Sequence, residues 1–261
     1  MSESVTIVFL HAHPDDEVVL TGGSMARASR EGHRVVLVVA TNGDHGEAPD
    51  DLALGESLVD RRRRETECSA DVLGVSHVLW LGYGDSGMTG WDQNADPDSF
   101  WQADVDDAAT RLVKLLEAEH ADILVTYDWH GGYGHPDHVQ VHRVGHRAAA
   151  LADTTRVLEA TFSRDNMRSF ALADGGEQWD PDGPADDGNP FGTPEIEIHY
   201  AVDVSELVDV KRRALACHVS QTSDAGAMLA MPSEMFAKVF GTEWFIEPGR
   251  PPGLRRAWPF E

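Results

Sequence analysis

The chain reads as an α/β protein: a Rossmann-like, mainly parallel sheet with helices on both faces, plus a C-terminal extension. Three observations predict this. Apolar runs such as Val5–Leu10 and Arg34–Ala40 lack polar alternation, as strands covered on both faces do. Segments of helical apolar spacing separate them, giving the order β-α-β-α-β-α-β. The most titratable segments fall where strands should end, and in such sheets the working groups collect there.

The elements follow in order. Val5–Leu10 is a buried strand, and Asp16–Arg30 is a helix with apolar Val18, Val19, Leu20, Met25 and Ala26, stopped by Gly32. The second strand is Arg34–Ala40. A helix at 56–73, a strand at His77–Leu81, a helix at 103–119 and a strand at Asp122–Tyr127 follow, and Pro136 suits the first turn of the next helix. Residues 86–102 and 164–194 read as long loops, which in compact domains tend to be functional. Beyond them come a strand at Glu195–Val202, a helix at 204–219 and a short helix at 232–240. At 261 residues and 41% hydrophobic content, one domain is expected.

A formal charge of −24 repels phosphate backbones and anionic membranes, so neither nucleic acid nor a membrane is an expected partner. The densest acidic stretch, 172–188, reads as a solvated surface. The start MSESVTIVFLHAH lacks the basic flank and long apolar core of a secretory signal, which predicts a cytoplasmic protein. Cys68 and Cys217, with no CxxC spacing, are expected to be reduced packing thiols. Assembly into oligomers is compatible with these features.

Two loops carry the chemistry. HAHPDDE, residues 11–17, follows the first strand, and Asp128–His138 follows the Asp122–Tyr127 strand. Mixed histidine and carboxylate sets with an open position suit catalytic Zn²⁺. His13 and Asp16, three apart where strand turns into helix, can converge on one ion and leave Asp15 free beside it. A third ligand must come from the second loop, and His138 is the choice. Asp15 and Asp16 could instead cap the helix. His138, His142 and His146 stand at i, i+4 and i+8. Two of them could pair on a metal, but HxxxH lacks the glutamate base of HExxH, and His142 and His146 read as structural. His11, His33, His45, His77 and His120 read as structural or surface groups, and the Arg61–Arg64 run as a solvated helix face.

At His13–Glu17 (HPDDE) and His135–His138 (HPDH) the chain resembles the PIG-L/LmbE-like metal-dependent deacetylases. Within that family it is most similar to the actinobacterial mycothiol-pathway branch of deacetylases and conjugate amidases. DSGM at 85–88, Phe100–Asp104, TYDWHGGYGHPDH at 126–138 and KRRALACHVSQ at 211–221 follow the same pattern. The resemblance implies that His13, Asp16 and His138 bind zinc, with ferrous iron an alternative. It further implies Asp15 as general base, His135 as electrophilic histidine oriented by Asp137, and Tyr133 assisting at the carbonyl. Arg62, in an R-x-x-E pattern with Glu65, and Asp85 would contact substrate hydroxyls, and His218 would sit near the mouth.

The expected reaction is hydrolysis of an acetyl or larger acyl amide on an N-acetylglucosamine-type conjugate. The cation acidifies a water, Asp15 takes its proton, and His135, best placed as imidazolium, stabilises the oxyanion. A larger-amide amidase and a tailoring deacetylase of natural-product biosynthesis are rivals within the family. A ferrous oxygenase with a facial triad and a sugar-binding module with a structural metal are rivals outside it. Residues 164–194 and 222–261 match no pattern and are expected to shape the acceptor end of the pocket.

Overall fold

The computed structural model describes residues 4–152, 156–173, 180–223 and 225–260, with the side chains of 171–173 excepted. Five strands are parallel: β1 (Thr6–His11), β2 (Arg34–Thr41), β3 (His77–Tyr83), β4 (Ile123–Tyr127) and β5 (Arg156–Thr161). β6 (Tyr200–Asp203) and β7 (Thr242–Ile246) complete the sheet in the order β3-β2-β1-β4-β5-β7-β6. β7 pairs antiparallel with both β5 and β6. The strand order reverses between β1 and β4, and the crevice beyond their carboxyl ends is the topological switch point.

Helices α1 (Asp16–Arg30), α2 (Leu58–Leu73), α3 (Val105–Glu119) and α4 (Pro136–Ala152) are the expected crossovers. Val35 to Ala40 of β2 are wholly buried, as the unbroken β-branched run requires of a strand covered on both faces. Helix α2 starts on a capping box between Ser57 and Asp60 and ends on Gly74 in the left-handed region. Asp104 caps α3 by accepting from the Asp106 and Asp107 N–H groups.

The C-terminal half departs from the expected elements. Residues 164–194 open with α5 (Arg164–Ala173) rather than a loop, and 86–102 hold two 3₁₀ turns, Asp92–Ala95 and Phe100–Gln102. Part of the acidic stretch 172–188 lies outside the described residues. The strand expected at Glu195–Val202 is a 3₁₀ turn at Glu195–Glu197 followed by β6. The helix expected at 204–219 shortens to a turn at Ser205–Leu207 and α6 (Val208–Leu215). Then come α7 (Ala225–Ala230) and α8 (Ser233–Phe240), close to the helix expected at 232–240.

One buried ion pair fastens this half to the first. Lys211 of α6 donates from Nζ to Glu243 of β7 at 2.7 Å, and both side chains are 1% exposed. Glu243 also accepts from the backbone N–H groups of Gly23 and Ser24 in α1, at 2.8 and 2.7 Å. A covalent link lies nearby and overturns the expectation of reduced thiols: Cys68 of α2 and Cys217 just after α6 form a disulfide, 149 positions apart, with Cα atoms 5.8 Å from each other. Packing of α2 on α6 creates that proximity, which sequence spacing does not encode.

Among the described residues no helix is long and apolar enough to cross a membrane.

Lys211→Ala leaves Glu243 buried without its counter-ion and is expected to cost about 3–5 kcal/mol in urea unfolding. Glu247 gives a pH-dependent case. Burial opposes its ionisation, but hydrogen bonds from Arg156, Tyr200 and Arg250 outweigh this and hold its carboxyl at about 2. A depressed folded pKa contributes stability above the unfolded value of about 4.3, and this is lost as pH falls toward 2. Glu247→Gln should therefore be less stable than wild type by roughly 2 kcal/mol at pH 7. The gap should close in acid unfolding midpoints.

Candidate active site

The chain leaves β1 and turns directly into α1 through a backbone conformation that a non-glycine residue rarely adopts. Asp15, at the N-cap, has φ of 104° and makes no side-chain cap hydrogen bond, so the reading of these acids as ordinary helix caps does not hold. Such a residue costs of order 1–3 kcal/mol and persists where its surroundings over-determine it. They do so here. The Asp16 Oδ2 accepts from the His13 N–H at 2.8 Å, and the Glu17 Oε2 accepts from the Asp15 N–H at 2.8 Å.

The loop after β4 brings up the second group. Asp128 Oδ1 accepts from the His130 and Gly132 N–H groups, which folds the loop back. Gly131 (φ 62°) lies against the start of α4, where an added Cβ would stand 2.1 Å from the His138 Cβ. His138 Nδ1 donates to the Gly131 carbonyl at 3.0 Å, which leaves its Nε2 as a bare lone pair. That Nε2 is buried with no hydrogen-bond partner and lies 3.3 Å from Asp16 Oδ2. The same oxygen is 3.3 Å from His13 Nδ1. His13, Asp16 and His138, predicted separately from two loops, thus converge.

Around His13 the charge is lopsided. Its Nε2 donates to Asp137 Oδ2 at 3.1 Å and lies 3.5 Å from Asp85 Oδ1. Burial opposes protonation of His13, but Asp85, Asp137 and Asp16 outweigh it and lift its pKa well above the usual value. Burial also opposes ionisation of Asp16, yet His138 and His13 hold its carboxyl well below the carboxylate range. The pocket is built for positive charge. An orphaned imidazole lone pair, a carboxylate oxygen equidistant from two imidazoles, and a carboxylate behind His13 together fit a divalent cation.

Asp15 stands beside these groups. Burial raises its pKa to about 6, partly offset by Arg62, whose Nη2 is 3.3 Å from Asp15 Oδ2. Arg62 is the buried member of the arginine run, and its guanidinium also donates to the Pro14 and Gly43 carbonyls. It grips the turn that carries Asp15, so most of its donors are not free for a substrate hydroxyl.

Three expected roles change. Asp137 was to orient His135, but its carboxylate bonds His13 and Ser86; only the Asp137 backbone N–H reaches His135, donating to Nδ1 at 3.1 Å. That bond fixes His135 as the Nε2–H tautomer. His135 was also expected as imidazolium. Burial, reinforced by His13 and His138, pushes its pKa well below the usual value, so it is a neutral donor. His218 was to sit at the mouth; it is 1% exposed and bonds Glu17 Oε1 at 2.8 Å, behind the catalytic turn. Its pKa is raised, Glu17 outweighing burial.

The remaining expected residues line a cleft of about 700 Å³. Tyr133 and Asp85 face it beside His13, Asp15, Asp16, His135 and His138. Burial opposes the ionisation of Asp85, but His13 outweighs it and holds the carboxyl below the usual range. The Tyr133 ring packs on His138 at 4.8 Å between centroids. Met167 and Phe191 of the segment 164–194 and Met228 and Phe240 of 222–261 also line the cleft.

Sequence reasoning missed several supporting groups. Ser86 donates to Asp137 from both its N–H and its Oγ. Ser69 of α2 donates to Glu17 at 2.6 Å, and Ser220 donates to Glu65 at 2.6 Å. The serine of DSGM was the one available signal. His11, read as structural, is so: buried between Tyr127 and Thr21, with burial pushing its pKa to about 4.

An amide hydrolase with a metal-binding cleft is the class this arrangement belongs to. The chain belongs to the PIG-L family: residues 8–149 match the family described as "GlcNAc-PI de-N-acetylase". It is 36% identical to the 1D-myo-inositol 2-acetamido-2-deoxy-alpha-D-glucopyranoside deacetylase of Acidothermus cellulolyticus, over 92% of this chain and 88% of that protein. A Thermobifida fusca protein of the same description is also 36% identical, over 94% and 95% of the two chains. Among solved structures, the N,N'-diacetylchitobiose deacetylase of Pyrococcus horikoshii superposes with a TM-score of 0.61 at 24% identity, over 94% and 84%, and shares the fold.

Ser86→Ala removes one of the two donors that hold Asp137 against His13. Groups that orient a ligand histidine are worth 10–100-fold in metal affinity, and a loss of about that size is expected in chelator competition, with the fold unchanged.

Proposed function

We propose that the chain removes the acetyl group from an N-acetylglucosamine-type glycoconjugate, a small-molecule substrate, by hydrolysis at a zinc site formed by His13, Asp16 and His138. The observation that carries the reading is the single Asp16 oxygen 3.3 Å from both His13 Nδ1 and His138 Nε2, with Asp15 beside it. The relatives described as deacetylases of an N-acetylglucosamine-type inositol glycoside support the substrate class. Mixed imidazole and carboxylate donors suit zinc, with ferrous iron the alternative.

Zinc held by His13, Asp16 and His138 would supply an acidified water and a polarised acyl oxygen. The chain's own groups do the rest. Asp15, kept in place by Arg62, accepts the proton of the attacking water. His135, neutral with Nε2–H, donates to the oxyanion that develops on the acyl carbon, and Tyr133 assists; one such donor is worth about 10²–10³ in rate. Asp137 acts on His13, and Asp85 lines the sugar side of the cleft. Glu17 and His218 hold the turn that presents Asp15. The proton that Asp15 took from the water passes to the leaving amine, directly or through His135, as the C–N bond breaks and acetate is released.

A second reading, cleavage of a larger amide conjugate, rests on the apolar wall of Met88, Trp91, Phe191 and Phe240. Comparing acetate release from N-acetylglucosamine glycosides with cleavage of bulkier N-acyl analogues separates the two.

Asp15→Asn is expected to retain metal while losing turnover by about 10²–10⁴, and near-normal rate would remove Asp15 as base. His138→Ala is expected to lose the bound metal together with activity. Undiminished metal content measured by emission spectrometry would contradict the ligand set.

A further inference from the structure

One helix carries more imidazole than the cleft uses. His138 stands at the start of α4, and His142 and His146 follow on the next two turns of the same face. Opposite them, on β5, is Glu159, 8% exposed. His142, His146 and Glu159 each offer a ligand atom within 4.8 Å of the other two. Glu159 Oε1 is 2.7 Å from His146 Nε2 and 3.7 Å from His142 Nδ1, and the two rings lie 4.4 Å apart.

We propose that His142, His146 and Glu159 form a second divalent-metal site, separate from the catalytic cleft, that clamps α4 to β5.

The structural role expected of His142 and His146 does not by itself explain this arrangement. Side chains four residues apart on a helix are neighbours in any case; what sets these two rings apart is that both lie against one buried carboxylate. Among the described residues, no lysine or arginine pairs with Glu159, whose ionic partners are the two imidazoles. Burying a carboxylate without a compensating positive charge is expensive. Arg147 and Arg143, on the same helix, are engaged elsewhere: Arg147 pairs with Asp106, and Arg143 lies over the Trp101 ring.

The tautomer of His142 also suits a ligand. Its Nδ1 donates to the Tyr127 carbonyl at 2.9 Å, the bond to backbone oxygen that commonly orients metal-binding histidines, and Nε2 keeps its lone pair. Burial and the neighbouring His146 lower its pKa, against the Tyr127 bond and Glu159, so it is neutral near pH 7. Two imidazoles and a carboxylate, with side chains 22%, 33% and 11% exposed, leave room for water to complete a tetrahedral shell. A cation held through His142 Nε2 displaces the His146–Glu159 hydrogen bond and keeps the Tyr127 bond, whereas one held through Nδ1, the nitrogen nearer Glu159, displaces both.

The place gives the site its consequence. Tyr127 ends β4, and Glu159 pairs with Thr126 in the β4–β5 ladder. A metal joining Glu159 to α4 therefore fixes the helix whose first turn presents His138. It would stiffen the cleft without touching substrate.

The test counts metal in the full chain. Protein stripped with chelator and titrated with Zn²⁺ or Co²⁺ in equilibrium dialysis should bind two equivalents. His146→Ala should bind one and keep its deacetylase activity at saturating metal, and His138→Ala should bind one and lose activity. Thermal unfolding of wild type should rise with the second equivalent, a rise absent in His146→Ala. Glu159→Gln, which keeps side-chain volume, checks the result should His146→Ala prove unstable. A wild-type stoichiometry of one, abolished by His138→Ala, would overturn the second site. So would two equivalents that survive both His146→Ala and Glu159→Gln. Because the two sites are lost by different substitutions, failure here leaves the catalytic reading intact, and the reverse also holds.

Discussion

The buried carboxylate of Glu17 holds the working parts of the cleft in register. One oxygen accepts from the Asp15 backbone N–H, the other from Ser69 of α2 and from His218 after α6. Three chain segments, far apart in sequence, thus meet on one side chain with no exposure. A buried charge is tolerated only when paired and hydrogen-bonded, so each partner must be present for the turn at Asp15 to keep its left-handed backbone. Removing any one would loosen the strained residue that points into the cleft. The disulfide between Cys68 and Cys217 runs beside these contacts and limits how far α2 and the His218 segment can separate.

The same rule governs the cation pocket. His13 is bracketed by Asp16 on one nitrogen and by Asp137 and Asp85 on the other. Four acids, Asp15 among them, lie within one small volume, and imidazoles and Arg62 offset only part of their charge. Such a cluster is unfavourable unless further positive charge enters. Binding of a cation and stability of the pocket are therefore expressions of one electrostatic imbalance. His135 follows by contrast: a backbone N–H fixes its tautomer and burial lowers its pKa, so it carries an Nε2–H rather than a counter-charge.

The C-terminal part turns a family core into a particular enzyme. Through Lys211 and Glu243 it is anchored to α1 by a buried pair, and through α7 and α8 it supplies the apolar wall of the cleft. The family match ends at residue 149, and Met167, Phe191, Met228 and Phe240 of the cleft lining come later.

The sequence by itself determined the doubly wound sheet, the strand ends that matter, and the ligand candidates His13, Asp16 and His138. Unbroken β-branched runs and paired HPD triplets are local signals, and the sheet topology converts them into one rim. It did not reveal β5 or β7. Glu159 interrupts the apolar pattern of the first, and the second is only five residues long between Gly241 and the Pro248-Gly249 turn, in a tail whose pattern is otherwise irregular. Nor did it reveal that Asp137 serves His13 rather than its neighbour His135. Adjacency in the chain suggested the latter, but Pro136 opens α4 between them and sends the two side chains to different partners. The disulfide, the burial of His218 and the meeting of His146 with Glu159 were decided by tertiary structure alone. Each depends on which helix packs against which strand, and no spacing along the chain records that.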